Sequence, residues 1–368
     1  MSANPHSTGA EDDNPHPRSG NNLIPWLLDE LAVPELRQLL DLRKQGWEEK
    51  EFDRDFAAQR ATAAAPNDKA KLAWFTLMKK AMGELDECAR FVPPFGAFSF
   101  LDLGCCPCGF TSWILSKNPD ARGKGISLPQ EQGGHEYTLE QQLTRRFKLE
   151  WADLTYYKLH PSADELRGKA LSPFPESYQD FDLVILDGHY LRDIYITPQL
   201  TPPERWDSHR LTISQIIIAL KTVKHGGTLV MKLSHPEWTT TAQTLFLLDG
   251  LSTDLRTYKP RVIHGKRGTF YAIAQGVGHG PRAHMKEEYI RQFQALWYEI
   301  AFGGENGTGR WFTKEDLDFV VSRDELVEGY LERLAELGLD SWIVQAQALE
   351  RLFYRKGIAI RPARNVER

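Results

Sequence analysis

The sequence predicts an α/β fold: a Rossmann-like, doubly wound sheet with helical extensions on both sides. Between residues 97 and 276, short runs rich in β-branched and aromatic residues alternate with stretches of helical spacing. Several runs are apolar almost throughout, which is typical of strands buried on both faces of a parallel sheet. Repetition of strand, helix and strand in this way is the pattern of a doubly wound sheet.

Six runs are predicted as strands, and helices are predicted between them. The strands are FSFLDLG (98–104), KGISL (124–128), LEWAD (149–153), FDLVILD (181–187), GTLVMKL (227–233) and TFYAIAQ (269–275). The helices of this region are predicted at 111–116, 138–146, 208–223 and 239–250.

The two ends of the chain differ from this central region. The first residues are rich in Pro, Gly, Ser and Asn without apolar periodicity, so we predict a disordered tail there. A helix is predicted over 67–90, where Phe75, Met78 and Met82 form an apolar stripe. The predicted division of the chain is a disordered tail at 1–20, a helical N-terminal segment at 21–96, the sheet domain at 97–277 and a helical C-terminal extension at 278–368.

Composition excludes several classes of protein. The chain has 368 residues, with 45 Lys and Arg against 50 Asp and Glu, so a net charge of −5 excludes a polybasic binder of the histone type. Hydrophobic residues make up 41%, which is enough for a sizeable core and excludes wholesale disorder. The sequence has no long apolar run and only 4 cysteines, too few for a disulfide scaffold. We therefore expect a soluble, intracellular protein of the cytoplasm or nucleus, without membrane contact.

The segment LDLGCCPCGF (101–110) follows the first strand and opens a helix, which is the ligand-binding end of a doubly wound sheet. A P-loop would need a lysine where Phe110 stands, and a dinucleotide fingerprint would need a middle glycine that is absent. S-adenosylmethionine is the remaining candidate. Its carboxylate would take N–H groups of the loop and helix start, while Asp102 would face its cationic side.

The cysteines of this segment invite a metal or redox interpretation, since Cys105 and Cys108 form a C-x-x-C pair. Structural zinc usually has four ligands, commonly from two separated pairs. Only Cys88 lies elsewhere, and no histidine pair has ligand spacing. The sequence therefore favours compact loop residues, with no metal bound.

Three motifs in order resemble those of the FtsJ-like RNA ribose 2′-O-methyltransferases. The loop resembles the family's Asp-Leu-Gly-x-x-Pro-Gly-Gly motif, with Cys108 in place of one glycine. FDLVILDG (181–188) resembles the strand that ends in a catalytic aspartate, and GGTLVMKL (226–233) the strand that carries a catalytic lysine. Lys259-Pro260 with the strand around Tyr271 resembles the closing segment. The resemblance covers about residues 68–277.

The resemblance implies an S-adenosylmethionine-dependent methyltransferase that acts on RNA. Its catalytic set is Lys-Asp-Lys-Glu, in which a lysine held by an aspartate draws the proton from a ribose hydroxyl. The implied catalytic residues are Lys79, Asp187 and Lys232; Lys79 is preferred to Lys80 because it flanks the apolar stripe of its helix. The implied cofactor-binding residues are Asp102, Gly104, Cys105, Pro107, Gly109, Phe110, Asp153 and Asp187.

One position departs from the family. Thr269 stands where the family has glutamate, and a threonine supplies no negative charge. The alternative function is therefore a catalytically degenerate domain that binds cofactor, RNA or both. His189 and His235 could each face the site, but a metal set of these with Asp187 is not favoured. A basic hairpin is expected to contact RNA phosphates, although a solvated hairpin explains the charges equally well; its residues are Lys259, Arg261, His264, Lys266 and Arg267.

Overall fold

The computed structural model describes residues 21–52, 54, 67–189, 207–305 and 307–361. The tail predicted at 1–20 lies outside the described residues. The main sheet consists of β1 Phe98–Leu103, β2 Ala121–Ser127, β3 Phe147–Trp151, β4 Phe181–Leu186, β5 Val223–Ser234, β6 Asp254–Tyr258 and β7 Thr269–Gln275. Two short ribbons lie outside it: Tyr157–Lys158 pairs with Ser172–Pro173, and Glu165–Leu166 pairs with Lys169–Ala170.

The strand order of the sheet is β6-β7-β5-β4-β1-β2-β3. Neighbours from β3 to β5 pair in parallel, whereas β7 runs antiparallel to both β5 and β6. The chain order reverses between β1 and β4, and ligands of such sheets bind beyond the carboxyl ends of the strands at that point. The predicted doubly wound α/β class is confirmed. The sequence missed β6, which is a short edge strand.

The helices flank the sheet and extend the chain at both ends. They are α1 Ile24–Asp29, α2 Pro34–Glu48, α3 Asp68–Ala89, α4 Gly109–Lys117, α5 Asp207–Thr222, α6 Thr239–Leu251, α7 Lys286–Phe302, α8 Arg323–Gly329 and α9 Leu331–Lys356.

The helix predicted at 138–146 is wrong. The segment consists of turns and one short 3₁₀ helix, Thr144–Arg146. Tertiary hydrogen bonds hold it against its neighbours: the Thr138 hydroxyl donates to the Pro107 carbonyl at 2.7 Å, and Glu140 accepts from Ser112 at 2.9 Å. These contacts override the two leucines at helical spacing, Leu139 and Leu143, from which the helix was predicted.

Two apolar clusters lie on the two faces of the sheet. The smaller cluster joins α3 and α4 to the sheet and includes Met78, Met82, Phe100, Ile114, Ile185 and Ile273. The larger cluster covers the other face and contains Ile217 and Leu245 of α5 and α6. It also contains residues of both terminal helical segments, among them Leu36, Leu39, Trp297 and Phe353. The N-terminal helices thus share a core with the C-terminal ones, while the domain boundaries given above stay a prediction. No helix in the described part of the chain combines the length and the apolar character needed to cross a bilayer.

A buried carboxylate joins both extensions to the end of β5. Glu237 is fully buried, and its oxygens accept hydrogen bonds from Arg43 of α2 at 2.6 Å and from Trp342 of α9 at 2.9 Å. His235 Nδ1 lies 3.2 Å from the same carboxylate. Burial alone would raise the pKa of Glu237, but Arg43 and His235 hold it well below its ordinary value.

Loss of the buried arginine should destabilise the fold. Arg43→Ala leaves the Glu237 carboxylate buried without its main counter-charge, so we expect the free energy of unfolding to fall by about 3–5 kcal/mol. Arg361→Ala is the matched control, because Arg361 also bonds α2, through Glu48 at 2.6 Å, but both side chains are about half exposed. It should cost no more than about 1 kcal/mol. Urea unfolding measures both, and equal small losses would contradict the role given to Glu237.

Candidate active site

Two loops meet at the carboxyl edge of the sheet, one after β1 and one after β4. Gly104 has φ +81°, and an added Cβ would lie 2.5 Å from the Cα of Gly188. A side chain at Gly104 would therefore be strained and would also push the loops apart. This close approach brings the proposed cofactor loop against the loop that carries Asp187.

The loop after β1 uses part of its backbone for its own structure. The N–H groups of Gly104 and Cys105 both donate to the Ile126 carbonyl, at 2.8 and 3.3 Å, and that of Cys108 donates to the Cys105 carbonyl. An anionic group would therefore meet the first N–H groups of α4, at Gly109 and Phe110, which have no intrahelical acceptor.

The absence of a side chain at Gly109 serves the packing of two helices. An added Cβ there would lie 2.6 Å from Met78 Cβ and 2.7 Å from the Phe75 carbonyl oxygen. The missing side chain allows α3 to pack directly on the start of α4. The resemblance names Gly104 and Gly109 as cofactor-binding residues, and for Gly109 the structure adds a packing reason for the glycine.

Asp102 is a buried carboxylate at the end of β1. It is 1% exposed, and its Oδ2 accepts a hydrogen bond from the Thr111 hydroxyl at 2.7 Å. Its Oδ1 is buried without a hydrogen-bond partner. Burial raises the pKa of Asp102 to about 7, since the Thr111 hydrogen bond only partly offsets it and nearby Asp187 adds to it. The site therefore has an unsatisfied acceptor that a cationic group would stabilise.

Asp187, Lys232 and Tyr271 come together from three neighbouring strands. Leu186 of β4 pairs with Met231 of β5, so the next residues, Asp187 and Lys232, lie side by side. The Lys232 Nζ is 3.4 Å from Asp187 Oδ1, and the Tyr271 hydroxyl donates to the same oxygen at 2.8 Å. All three are largely buried, with the Lys232 side chain 14% exposed. Burial and Asp187 raise the pKa of Tyr271 well above its ordinary value, so it remains a hydrogen-bond donor.

A histidine lies beside this group. The Nδ1 of His189 is 3.3 Å from the Lys232 Nζ. The side chain of His189 is exposed in the described part of the chain, and the charge of Lys232 holds the pKa of His189 well below its ordinary value. The same Nδ1 lies 3.3 Å from the Asp187 carbonyl oxygen. In the neutral tautomer protonated at Nε2, Nδ1 accepts a hydrogen bond from the ammonium, and this tautomer gives Lys232 a second acceptor beside Asp187.

Some residues predicted for the site do not join this group. Lys79 lies on the α3–α4 face and forms an ion pair with Glu140 at 2.8 Å, so its Nζ is directed to that carboxylate and not to Asp187. Lys80 is exposed, as expected. Asp153 follows β3 as predicted, but its Oδ1 accepts two hydrogen bonds from Thr155 and caps a short turn.

Other predicted residues also have structural partners. His235 is buried, stacks on Trp238 and faces Glu237, so a metal set with Asp187 is not assembled. Lys259 is fully buried and donates to the carbonyl oxygens of Thr269 and Arg267, which fastens the hairpin rather than contacting phosphate. Of the hairpin's basic side chains, Arg261 and Arg267 are exposed.

The sequence analysis gave no role to Tyr271 or His189 in holding the Asp187–Lys232 pair. Tyr271 lies directly opposite Lys232 in the antiparallel register of β7 and β5. Knowledge of that register would have identified Tyr271 as a partner of the Asp187–Lys232 pair. The register depends on the direction of β7, which the sequence does not specify.

The comparisons with known proteins decide the family. The model of the FtsJ-like methyltransferases matches residues 80–276, which is more than half of the chain. The chain belongs to the FtsJ-like methyltransferase family. It is therefore an S-adenosylmethionine-dependent methyltransferase, as the resemblance implied. No curated protein matches the chain.

Several solved structures are similar in fold. One is described as a ribosomal RNA methyltransferase from Plasmodium falciparum, with 16% identity, a TM-score of 0.35, and coverage of 54% of this chain and 96% of that one. A TehB-like S-adenosylmethionine-dependent methyltransferase from Corynebacterium glutamicum has 15% identity, a TM-score of 0.31, and coverage of 62% and 100%. The N-methyltransferase NodS from Bradyrhizobium japonicum has 14% identity, a TM-score of 0.32, and coverage of 54% and 94%. At such values these likenesses carry no argument about the activity.

The residues at the carboxyl edge of the sheet fit S-adenosylmethionine, the cofactor of an FtsJ-like methyltransferase. S-adenosylmethionine carries a carboxylate beside an ammonium and a sulfonium. The unpartnered Oδ1 of Asp102 is suited to the cationic side, and the start of α4 to the carboxylate. Asp153 lies at the end of β3, where its second oxygen could take the adenine amino group, as the resemblance implies.

Cofactor binding should depend on pH through Asp102. Because its pKa is about 7 in the free protein, the carboxyl is protonated at lower pH, whereas a cationic cofactor favours the carboxylate. The affinity measured by calorimetry should rise by up to about tenfold per pH unit below pH 7 and level off above it. Asp102→Asn should weaken binding, far more than Asp187→Asn does, and remove this dependence. Asp182→Asn, at the opposite end of β4, is the control, and a flat wild-type profile would contradict the assignment.

Proposed function

We propose that the protein transfers the methyl group of S-adenosylmethionine to the 2′-hydroxyl of an RNA ribose. The observation that carries the proposal is the buried Asp187–Lys232 pair, which lies against the cofactor loop through the Gly104–Gly188 contact. The family assignment supplies the methyl donor. The resemblance of the motifs to those of the ribose 2′-O-methyltransferases supplies the acceptor.

The pair suits this reaction chemically. A ribose hydroxyl is a weak nucleophile unless its proton is drawn away as it attacks the methyl carbon. Once its ammonium has lost a proton to solvent, the Lys232 amine would accept the hydroxyl proton as the hydroxyl oxygen takes the methyl group. Asp187 would orient the lysine and stabilise the ammonium that forms again. Tyr271 fixes the Asp187 carboxylate from the opposite strand. The reacting groups would therefore be held in line before the attack, which lowers the entropic part of the barrier.

His189 takes over part of the role of the family's glutamate, which Thr269 replaces in this chain. The family's set contains a glutamate that this chain lacks, and Lys79 is engaged with Glu140. His189 gives Lys232 a second acceptor from another direction. The proposed catalytic machinery is accordingly Asp187 and Lys232, positioned by Tyr271 and His189.

Positive charge around the site suits an RNA acceptor. Lys232 and Arg267 lower the pKa of His189, and burial together with Lys232, Lys259 and Arg267 lowers that of His264. Lys232 and Arg267 therefore lie near both imidazoles. Such a field attracts the phosphates that flank a ribose. The competing function, a degenerate domain that binds without turnover, is favoured by Thr269 alone.

Removing the lysine should abolish the reaction without removing the cofactor. Lys232→Ala should lower the rate of methyl transfer at least about a hundredfold and leave the cofactor affinity within a few-fold, because the amine acts on the transition state. Lys224→Ala is the control on the same strand; that side chain is exposed and paired with Asp182. Mass spectrometry of nucleosides from RNA treated with each protein measures the transfer. Full activity of Lys232→Ala would refute the proposed machinery.

Restoring the family's carboxylate separates the two functions. Thr269 lies on the same face of β7 as Tyr271, because residues two apart in a strand share a face. Thr269→Glu should place a negative charge beside Lys232 and raise the rate by about one or two orders of magnitude. A wild type without transfer to any RNA that gains activity from Thr269→Glu would favour the degenerate domain. A variant that binds cofactor normally but transfers no faster would show that His189 already suffices.

A further inference from the structure

Three of the four cysteines of the chain form one buried cluster. They are Cys105, Cys106 and Cys108, and their Sγ atoms all lie within 4.8 Å of one another. The pair Cys106 and Cys108 is separated by 4.0 Å. All three residues are at most 4% exposed. Among the described residues, no other group of histidine, cysteine or acidic side chains converges in this way.

The cluster lies on the core side of the cofactor loop. The three residues belong to the apolar cluster that joins α3 and α4 to the sheet. Gly125 of β2 leaves room for the sulfurs, because an added Cβ there would lie 2.7 Å from Cys105 Sγ. From outside, Thr138 fastens the neighbouring segment to the Pro107 carbonyl. The cluster therefore has a closed surrounding, and Cys108, the residue that caps the start of α4, is part of it.

The three sulfurs converge in an apolar surrounding. Cys106 Sγ lies 4.0 Å from Cys108 Sγ, and all three residues belong to the apolar cluster that joins α3 and α4 to the sheet. Thiolates buried in such a place need a cation to balance their charge, so loss of the thiol protons and binding of a metal ion would occur together.

We propose that Cys105, Cys106 and Cys108 bind one thiophilic divalent cation of the zinc class. Metal–sulfur bonds of about 2.3 Å place the sulfurs of such a site about 3.8–4.0 Å apart, so the cluster needs to contract by less than about 1 Å. Thiolates select soft cations over Mg²⁺ or Ca²⁺. On binding, a divalent ion displaces the three thiol protons, and its charge offsets most of that of the three thiolates.

The ion would have three protein ligands and one open position, since the described residues supply no fourth His, Cys, Asp or Glu to the group. Because its three ligands lie between β1 and α4, the ion would connect the end of β1 to the start of α4 and so stiffen the loop. The sequence argument against a metal counted Cys105 and Cys108 as one ligand pair. The structure adds Cys106, whose sulfur turns to the same side. The proposal does not depend on which hydroxyl is methylated.

The experiment titrates the reduced, metal-free full-length protein with Zn²⁺ in competition with a chromogenic chelator. We expect one Zn²⁺ per chain, and Co²⁺ as a second probe should give the intense near-ultraviolet absorption of cobalt–thiolate bonds. Cys106→Ser and Cys108→Ser should each weaken Zn²⁺ binding by about a hundredfold or more, since each removes a ligand. Cys88→Ser is the matched control and should bind as the wild type does, because Cys88 lies at the end of α3, outside the cluster.

Two further measurements keep the result decisive. Far-ultraviolet circular dichroism with thermal melting checks that each variant is folded, and X-ray absorption at the zinc edge of the wild type counts its sulfur neighbours without any variant. Three sulfurs at about 2.3 Å support the proposal. The absence of binding, binding that persists in the folded Cys106→Ser variant, or a shell of nitrogen and oxygen would each overturn it.

Discussion

The site depends on one shared carboxylate oxygen. Asp187 Oδ1 accepts from Tyr271 and lies 3.4 Å from the Lys232 ammonium, so three strands meet at one atom. This requires β5 between β4 and β7, with β7 antiparallel to it, because only that order places Lys232 beside Asp187 and opposite Tyr271. The strand order of the sheet is therefore also the condition for the chemistry of the site.

A second carboxylate, Asp102, is kept close to Asp187 at an electrostatic cost. Burial and the neighbouring Asp187 both raise the pKa of Asp102, and one of its oxygens has no partner. A protein that held these groups for stability alone would have paired them, since an unsatisfied buried acceptor is destabilising. A cationic cofactor removes both costs on binding. The arrangement is therefore better understood as prepared for a ligand than as part of the packed core.

Sequence reasoning succeeded where local pattern decides and failed where tertiary contacts do. The strands β1, β4 and β5 follow from apolar runs, and the family motifs fall at their carboxyl ends. Asp102 and Lys232 lie near the last residues of β1 and β5, and Asp187 directly follows β4. The position of Lys79 could not be derived, because the rotation of α3 is set by its contact with Gly109 and by the carboxylate of Glu140. The segment 138–146 failed for the same reason, since hydrogen bonds from residues distant in sequence hold it.

The helical extensions do more than cover the sheet. Glu237 follows Lys232 by five residues, and its buried carboxylate holds α2 and α9 through Arg43 and Trp342. The backbone of Leu23 also donates to the Glu237 carbonyl. The end of β5, and with it the position of the Lys232 side chain, is thus fixed by residues from both ends of the chain. Asp187 and Lys232 must stay within hydrogen-bond distance of each other, which requires that the surrounding structure hold their strands in place. In this protein the helical extensions provide those contacts.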